Sequence, residues 1–127
     1  MVEVIIDTNF LLTCAKQKVD LFEDLGILLI SFKAVIPAGV ISELKKLRKD
    51  KKLKIKEREA ANLALQILAK ENIRKFESEQ SVDDAIVSYA LKNKGVLVAT
   101  LDRGIKKRLN KKVKFITLRQ KKRLVFA

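Results

Sequence analysis

Short apolar runs alternate with helical patterns along the chain, and this alternation predicts a parallel sheet covered by helices on both faces. The β-branched run VEVII at Val2–Ile6 is typical of a buried strand. Further strands are predicted at residues 34–36, 73–76, 96–99 and 113–117, about five in all. The fold class expected from this pattern is α/β.

Helical spacing of apolar residues predicts the segments between the strands. Helices are expected at residues 10–16, 21–30, from Val40 onward, 59–70, from Ser81 to about Lys92, and 105–109. Residues 45–56 are too rich in lysine to be buried, so they are predicted to form an exposed helix end or loop. The tail, residues 119–127, is basic and then apolar, which favours an extra edge strand.

The length of 127 residues suits one domain spanning 1–127, and 48% hydrophobic residues are enough for a core. No apolar run approaches the roughly 20 residues that cross a bilayer, so no membrane partner is expected. The opening MVEVIID carries acids where a signal peptide would carry lysines. We therefore expect a cytoplasmic protein.

The formal charge of +13 is concentrated in two stretches. The stretch from Lys45 to Arg58 contains nine Lys or Arg residues and two acidic residues. The stretch from Arg103 to Arg123 contains eleven basic residues and no acidic residue. Clustered positive charge on a small domain favours a nucleic-acid partner. The alternative is a solvated, lysine-rich surface of the kind common in heat-adapted proteins.

Residue types also limit the chemistry. The chain has no histidine and a single cysteine, Cys14, which excludes an internal disulfide and a Cys/His zinc site. A metal here must be held by oxygen, which favours Mg²⁺ or Mn²⁺. Neither Cys14 nor the serines have an obvious base, so hydrolysis by metal-activated water is the chemistry that remains.

Acidic residues recur where predicted strands end or helices begin. Asp7 follows the first strand, Asp102 follows GVLVAT, Glu43 lies in the first turns of the helix after residues 34–37, and Asp83 and Asp84 lie in the first turn after Ser81. Carboxyl ends of parallel strands share one edge of a sheet, so these acids should converge there. Crowded carboxylates repel one another, and a hard divalent cation relieves that conflict.

Each acid also has a purely structural interpretation. Asp7 could cap the next helix, and Asp102 could be a turn residue or part of a surface ion pair. Ser81 followed by Asp84 resembles a capping box. Glu43 is harder to explain in this way, because the rest of its helix face is apolar.

Four landmarks in order give the chain a resemblance to the PIN-domain family. These are IIDTNFLL, the helix of Glu43 after VIP, the helix start DDAI, and VATLDRGIKKRL. The resemblance covers nearly the whole chain. It implies a three-layer α/β/α sandwich around a mainly parallel sheet, and an Mg²⁺- or Mn²⁺-dependent ribonuclease.

The resemblance also implies roles for individual residues. The family's four catalytic and metal-binding acids fall on Asp7, Glu43, the Asp83–Asp84 pair and Asp102. We favour Asp84 over Asp83, because Asp84-Ala85 matches the family's Asp-Ala pattern without a gap; Asp83 would then contribute indirectly. Thr8, Asn9 and Thr100 match polar positions that orient the acids or the water.

DTNFL, DDAI and VATLDR most resemble rRNA-processing endonucleases of the small-subunit processome type. One departure is Gly104, which stands where such members often have a further aspartate, and this puts a second metal site in doubt. Family members often pair through helices, which leaves a homodimer open.

The hypothesis from sequence is an endoribonuclease that acts on an rRNA precursor or another structured RNA. The residues expected to contact RNA are Lys45, Lys46, Arg48, Lys49, Lys51, Lys52, Arg103, Lys106, Lys107 and Arg108. Two alternatives stay open: a non-catalytic RNA-binding or ribosome-assembly factor, which Gly104 favours, and a toxin ribonuclease of a toxin–antitoxin pair. A receiver-like or other phosphoryl-transfer domain would leave the basic surface unexplained.

Overall fold

The computed structural model describes residues 1–120 and 122–127, and within them the chain forms six strands and six helices. The strands are β1 (Val2–Ile6), β2 (Phe32–Pro37), β3 (Ile73–Phe76), β4 (Leu97–Ala99), β5 (Lys114–Arg119) and β6 (Arg123–Phe126). The helices are α1 (Thr8–Lys16), α2 (Leu21–Leu29), α3 (Ala38–Lys49), α4 (Ile55–Lys70), α5 (Val82–Lys92) and α6 (Arg103–Arg108). This alternation confirms the α/β class predicted from the sequence.

All six strands form one sheet in the order β3-β2-β1-β4-β5-β6. Strands β1 to β5 are parallel, and Val4 of β1 lies in register with Ala34 of β2 and Leu97 of β4. β6 pairs antiparallel with β5 at the edge, as predicted for the tail. Lys121, which belongs to that predicted tail strand, lies outside the described residues.

Successive residues of β1 point to opposite faces of the sheet and enter two separate cores. Val4 and Ile6 pack with buried residues of α1, α2, α3 and α4, whereas Ile5 packs with α5 and α6 through Ile86 and Ile105. Because both faces are covered, every side chain in the second half of β1 is apolar and buried. The expected three-layer α/β/α arrangement is confirmed.

The lysine-rich segment at residues 45–56 divides between two helices. α3 continues to Lys49, a short turn follows, and α4 begins at Ile55, four residues before the predicted start. Lysine, arginine and glutamate are good helix formers, so their exposure does not prevent a helix. The expectation of an exposed helix end or loop is confirmed, with residues 55 and 56 forming the exposed start of α4.

Parallel pairing brings three chain segments to one edge of the sheet. Asp7 follows β1, α3 follows β2, and Thr100 follows β4, so all three emerge at the carboxyl ends of neighbouring strands.

No helix among residues 1–120 and 122–127 is both long and apolar enough to cross a membrane.

The start of α5 depends on its N-cap, and a substitution there tests the cap. The Ser81 hydroxyl accepts a hydrogen bond from the Asp84 backbone N–H at 3.2 Å. We expect Ser81→Ala to lower the free energy of unfolding by about 1 kcal/mol, since it leaves a helix N–H without its partner. Ser88→Ala, within the same helix, is the control and should keep or slightly raise stability in urea denaturation, because alanine is the better helix former. Equal stability of the two variants would contradict a contribution from the cap.

Candidate active site

Asp7 is held at the junction of β1 and α1 with its carboxylate turned into the protein. Its backbone N–H donates to the Ala99 carbonyl at 3.1 Å, and its residue exposure is 3%. Although Asp7 occupies the N-cap position of α1, its side chain makes no capping hydrogen bond. Instead its Oδ2 accepts a hydrogen bond from the Thr100 hydroxyl at 3.1 Å. Capping therefore does not explain an aspartate here.

Thr100 connects the ends of β1 and β4. Its fully buried hydroxyl donates to Asp7 and accepts from the Asp102 backbone N–H at 3.0 Å. Asp102 does cap a helix, because its Oδ1 accepts from the backbone N–H groups of Gly104 and Ile105 at 2.7 and 3.1 Å. The structural role of Asp102 is thus that of a helix cap through one carboxylate oxygen, and not that of the turn residue or ion-pair partner considered from the sequence.

Glu43 approaches the same edge from α3. Its Oε1 accepts a hydrogen bond from the Thr8 hydroxyl at 2.6 Å, across 35 positions of sequence. Lys46 and Leu47 follow at three and four residues, so they share a helix face with Glu43 and extend the wall it forms. The i+3 and i+4 spacing was the signal in the sequence that could have placed Leu47 in the site.

The structure separates the two neighbouring aspartates of α5. Asp83 lines the pocket with Asp7 and Asp102, whereas Asp84 binds Arg108 of α6 through an ion pair of 2.8 Å. The expectation that Asp84 rather than Asp83 faces the shared pocket is wrong. Adjacent helical residues point about 100° apart, and the packing of α5 on the sheet decides which one lies towards the pocket.

These side chains line a single pocket of about 490 Å³. Its lining consists of Asp7, Thr8, Asn9, Glu43, Lys46, Leu47, Asp83 and Asp102. Thr100 lies beneath it, hydrogen-bonded to Asp7. The convergence expected from strand topology therefore holds for three of the four favoured acids, with Asp83 in place of Asp84.

Crowding and burial shift the pKa values of the acids. Desolvation by burial is the main cause that raises the pKa of Asp7 to about 6, and the charges of Asp83 and Asp102 add to it against the opposing hydrogen bond from Thr100. Partial desolvation, then Asp102 and Glu43, raise the pKa of Asp83. The hydrogen bond from Arg108 lowers the pKa of Asp84 instead. Asp7 and Asp83 therefore face an electrostatic conflict that Asp84 does not.

The donors in this pocket suit a hard divalent cation, since they are carboxylate and hydroxyl oxygens. Within residues 1–120 and 122–127, no three acidic or cysteine side chains are already close enough together to hold an ion. Hydrogen bonds hold Glu43 towards Thr8 and Asp102 towards the start of α6. Binding a cation would thus require side-chain rotation, and the cation would relieve the desolvation and repulsion that raise the pKa values of Asp7 and Asp83.

Basic side chains border the acidic pocket on two helices. Lys46 of α3 enters its lining, and Arg108 of α6 contacts Asp84 next to Asp83. The other residues expected to contact RNA lie on the same helices and the turn after α3, namely Lys45, Arg48, Lys49, Lys51, Lys52, Arg103, Lys106 and Lys107. Cys14 is buried, which raises the pKa of its thiol to about 12, so it does not supply a nucleophile.

Comparisons with known proteins agree with this geometry. A family model described as "PIN like domain" matches residues 4–121. Over 124 residues the chain is 35% identical to Ribonuclease VapC4 of Methanocaldococcus jannaschii, covering 96% of this chain and 94% of that protein. Over 114 residues it is 36% identical to the rRNA-processing protein fcf1 of Schizosaccharomyces pombe, covering 85% of this chain and 53% of fcf1. The chain thus spans about half the length of fcf1.

Two solved structures are also similar. The structure of the PIN domain endonuclease Utp24 has a TM-score of 0.76 and 33% sequence identity, covering 96% of this chain and 90% of that one. A domain of a functionally unknown protein from Methanocaldococcus jannaschii has a TM-score of 0.58 at 18% identity, covering 94% of this chain and 92% of that one. The second likeness shows the fold alone.

The raised pKa of Asp7 generates a prediction for the protein with divalent ions chelated. Between about pH 4 and pH 6 the unfolded chain ionises Asp7 while the folded chain keeps it protonated, so folding loses stability as pH rises through this window. We compare the free energies of unfolding of Asp7→Asn and the parent at each pH. The difference in favour of Asp7→Asn should grow by about 2 to 3 kcal/mol from pH 4 to pH 7.5. Urea denaturation in EDTA measures this difference.

Asp84→Asn is a control of opposite sign, because the lowered pKa of Asp84 means that its loss should cost stability at neutral pH. If the Asp7→Asn variant and the parent keep the same stability difference at both pH values, Asp7 does not carry the strain described here.

Proposed function

Because the chain belongs to the PIN-like domain family, we propose that it is a divalent-metal-dependent endoribonuclease that hydrolyses phosphodiester bonds in RNA. The observation that carries this proposal is the acidic pocket, where four carboxylates from β1, α3, α5 and the end of β4 face a shared space bordered by basic helices. Relatives named as a ribonuclease and an endonuclease, at 35% and 33% identity, support the same activity.

Asp7, Asp83 and Asp102 are the residues we propose to hold Mg²⁺ or Mn²⁺, with Glu43 completing the set. A bound divalent ion lowers the pKa of water and stabilises negative charge on a phosphoryl oxygen. Thr100 fixes the orientation of the Asp7 carboxylate, and Thr8 does the same for Glu43. Asn9 adds a polar side chain to the pocket wall. Asp7 and Glu43 are thus each positioned by a partner that carries no charge.

Substrate binding in this proposal falls to the basic residues of α3 and α6. Lysine and arginine on these helices neutralise RNA phosphates on either side of the acidic pocket without reading the bases. Lys46 contributes a positively charged side chain to the pocket lining, next to the carboxylates. The basic flanks therefore offset the repulsion between an acidic site and a polyanionic substrate.

We infer that an rRNA precursor is the substrate class, and the similarity to fcf1, an rRNA-processing protein, supports this. A toxin ribonuclease, with a different RNA substrate, stays the alternative, because the sequence identity to Ribonuclease VapC4 is comparable to that to fcf1. A small antitoxin encoded next to this chain would favour it.

A non-catalytic RNA-binding or assembly factor is the second candidate, and Gly104 favours it. A Cβ atom at this position would lie 3.0 Å from Asp102 Oδ1, closer than side chains normally pack. Glycine thus lets Asp102 turn back to cap α6, which occupies one of its oxygens. In that case Asp102 would be a structural residue.

Paired substitutions in α5 test the catalytic proposal directly. We expect RNA cleavage with Mn²⁺ that EDTA abolishes, and a loss of about a hundredfold or more in kcat for Asp83→Asn. Asp84→Asn is the matched control, since it changes the same atoms one position along the chain and should stay within a few-fold of the parent. Single-turnover cleavage of a labelled RNA measures both.

Two results would contradict the proposal. Equal cleavage by the parent with Mn²⁺ and with EDTA would remove the metal from the reaction. RNA binding without any Mn²⁺-dependent cleavage would favour the assembly factor.

A further inference from the structure

A cavity of about 420 Å³ lies at the edge of the sheet opposite to the acidic pocket. Its lining consists of Gly95, Val96, Lys111, Lys112, Val113 and Lys114. The first two residues precede β4 and the other four lead into β5, so the cavity lies at the amino ends of these parallel strands. The acidic pocket lies at the carboxyl ends, and the two share no lining residue.

Positive charge dominates this cavity. Three of its six lining residues are lysines and none is acidic. Two further lysines belong to the same region, since Lys94 directly precedes Gly95 and Lys92 ends α5. All five lysine side chains are exposed. We call this group the amino-edge lysine cluster, which consists of Lys92, Lys94, Lys111, Lys112 and Lys114.

The described part of the chain supplies no counter-charge to this cluster. None of the five lysines forms an ion pair within residues 1–120 and 122–127. Between Lys92 and Lys114 the sequence contains a single acidic residue, Asp102, and it lines the pocket at the opposite edge of the sheet. Like charges that lie close together repel one another, so the cluster favours a partner of high negative charge.

Another surface cavity shows that this imbalance of charge is local. A cavity of about 310 Å³ beside α4 also contains two lysines, Lys18 and Lys70, but its lining includes two acids, Asp20 and Glu71. The charges of that cavity therefore balance. A solvated surface of the heat-adapted kind is built from networks of opposite charges, and the amino-edge lysine cluster has no acid with which to form one.

A basic segment connects the two edges of the sheet. α6 begins directly after Asp102 of the acidic pocket, and the chain then continues to Lys111 in the cavity. Residues 103–114 contain seven Lys or Arg residues and no acid. The edges are about 13 Å apart, because four residue steps of roughly 3.3 Å lead from Val96 to Thr100. An RNA that extends beyond the acidic pocket along α6 thus approaches the cluster.

We propose that the amino-edge lysine cluster is a second binding site for RNA phosphates, which holds the substrate at the edge of the sheet opposite to the bond that is cut. This inference rests on the proposed ribonuclease function. Because lysine binds phosphates without reading bases, the site adds affinity for long or folded RNA and no sequence preference. A substrate too small to extend from one edge to the other gains nothing from the cluster.

Binding in EDTA tests the cluster without cleavage. We expect Lys111→Gln/Lys114→Gln to weaken binding of an RNA hairpin and to reduce the slope of log K against log salt by roughly 0.7 to 0.9 for each lost phosphate contact. Lys18→Gln/Lys70→Gln is the matched control, because it removes the same charge from the cavity in which acids balance the lysines. Equal slopes for the two double variants would overturn the proposal.

Cross-linking from a single thiol tests whether RNA lies against the cavity. Cys14 is buried and the pKa of its thiol is raised to about 12, so Lys112→Cys introduces a cysteine that alone reacts with an aryl azide reagent. After illumination in EDTA, this variant should cross-link to the hairpin in high yield. Lys18→Cys, at the cavity with balanced charges, is the control. Equal yields from the two variants would contradict the second site.

A small phosphodiester separates this inference from the proposed function. With Mn²⁺, Lys111→Gln/Lys114→Gln should cut the hairpin with a higher KM and the parent's kcat, and should hydrolyse bis(p-nitrophenyl) phosphate at the parent's rate. A lower kcat on both substrates would contradict a role in binding alone. Absence of hydrolysis by the parent itself would count against the proposed function, and the binding and cross-linking results would still decide the second site.

Discussion

The burial of the Asp7 carboxylate beside other carboxylates, where neighbouring parallel strands end, is the constraint on which the site depends. Asp7 is nearly excluded from water, Asp102 follows the adjacent strand, and Thr100 holds the two ends together through one hydroxyl. Asp83 and Glu43 approach the same space from helices. Burying the carboxylate of Asp7 is costly. A cation bound among the four acids, as we propose, would offset that cost.

Part of this site could be predicted from the sequence because it follows from topology. Once VEVII and GVLVAT are assigned as buried parallel strands, Asp7 and Asp102 must emerge at the same edge. The choice within the Asp83–Asp84 pair could not be predicted, because it depends on how α5 rotates against the sheet and on Arg108, which is 24 residues away. A gap-free match of Asp84-Ala85 to the family's sequence pattern carries no information about how the helix is rotated.

The basic residues show a similar limit. Their clustering along the chain predicted a nucleic-acid partner, but not how individual residues are used. Arg108 is engaged by Asp84, and Lys46 enters the acidic pocket. These differences arise from tertiary contacts between helices that are far apart in sequence. They divide the positive charge between structural and pocket-lining residues.

We propose that a divalent cation resolves the conflict among Asp7, Glu43, Asp83 and Asp102. A crystal structure grown with Mn²⁺ near neutral pH, with the ion located by its anomalous scattering, tests it most directly. We predict a Mn²⁺ ion in direct contact with Asp7 and Asp83, with Asp84 still paired to Arg108. A pocket without manganese at saturating concentration, or an ion bound by Asp84 instead of Asp83, would contradict it.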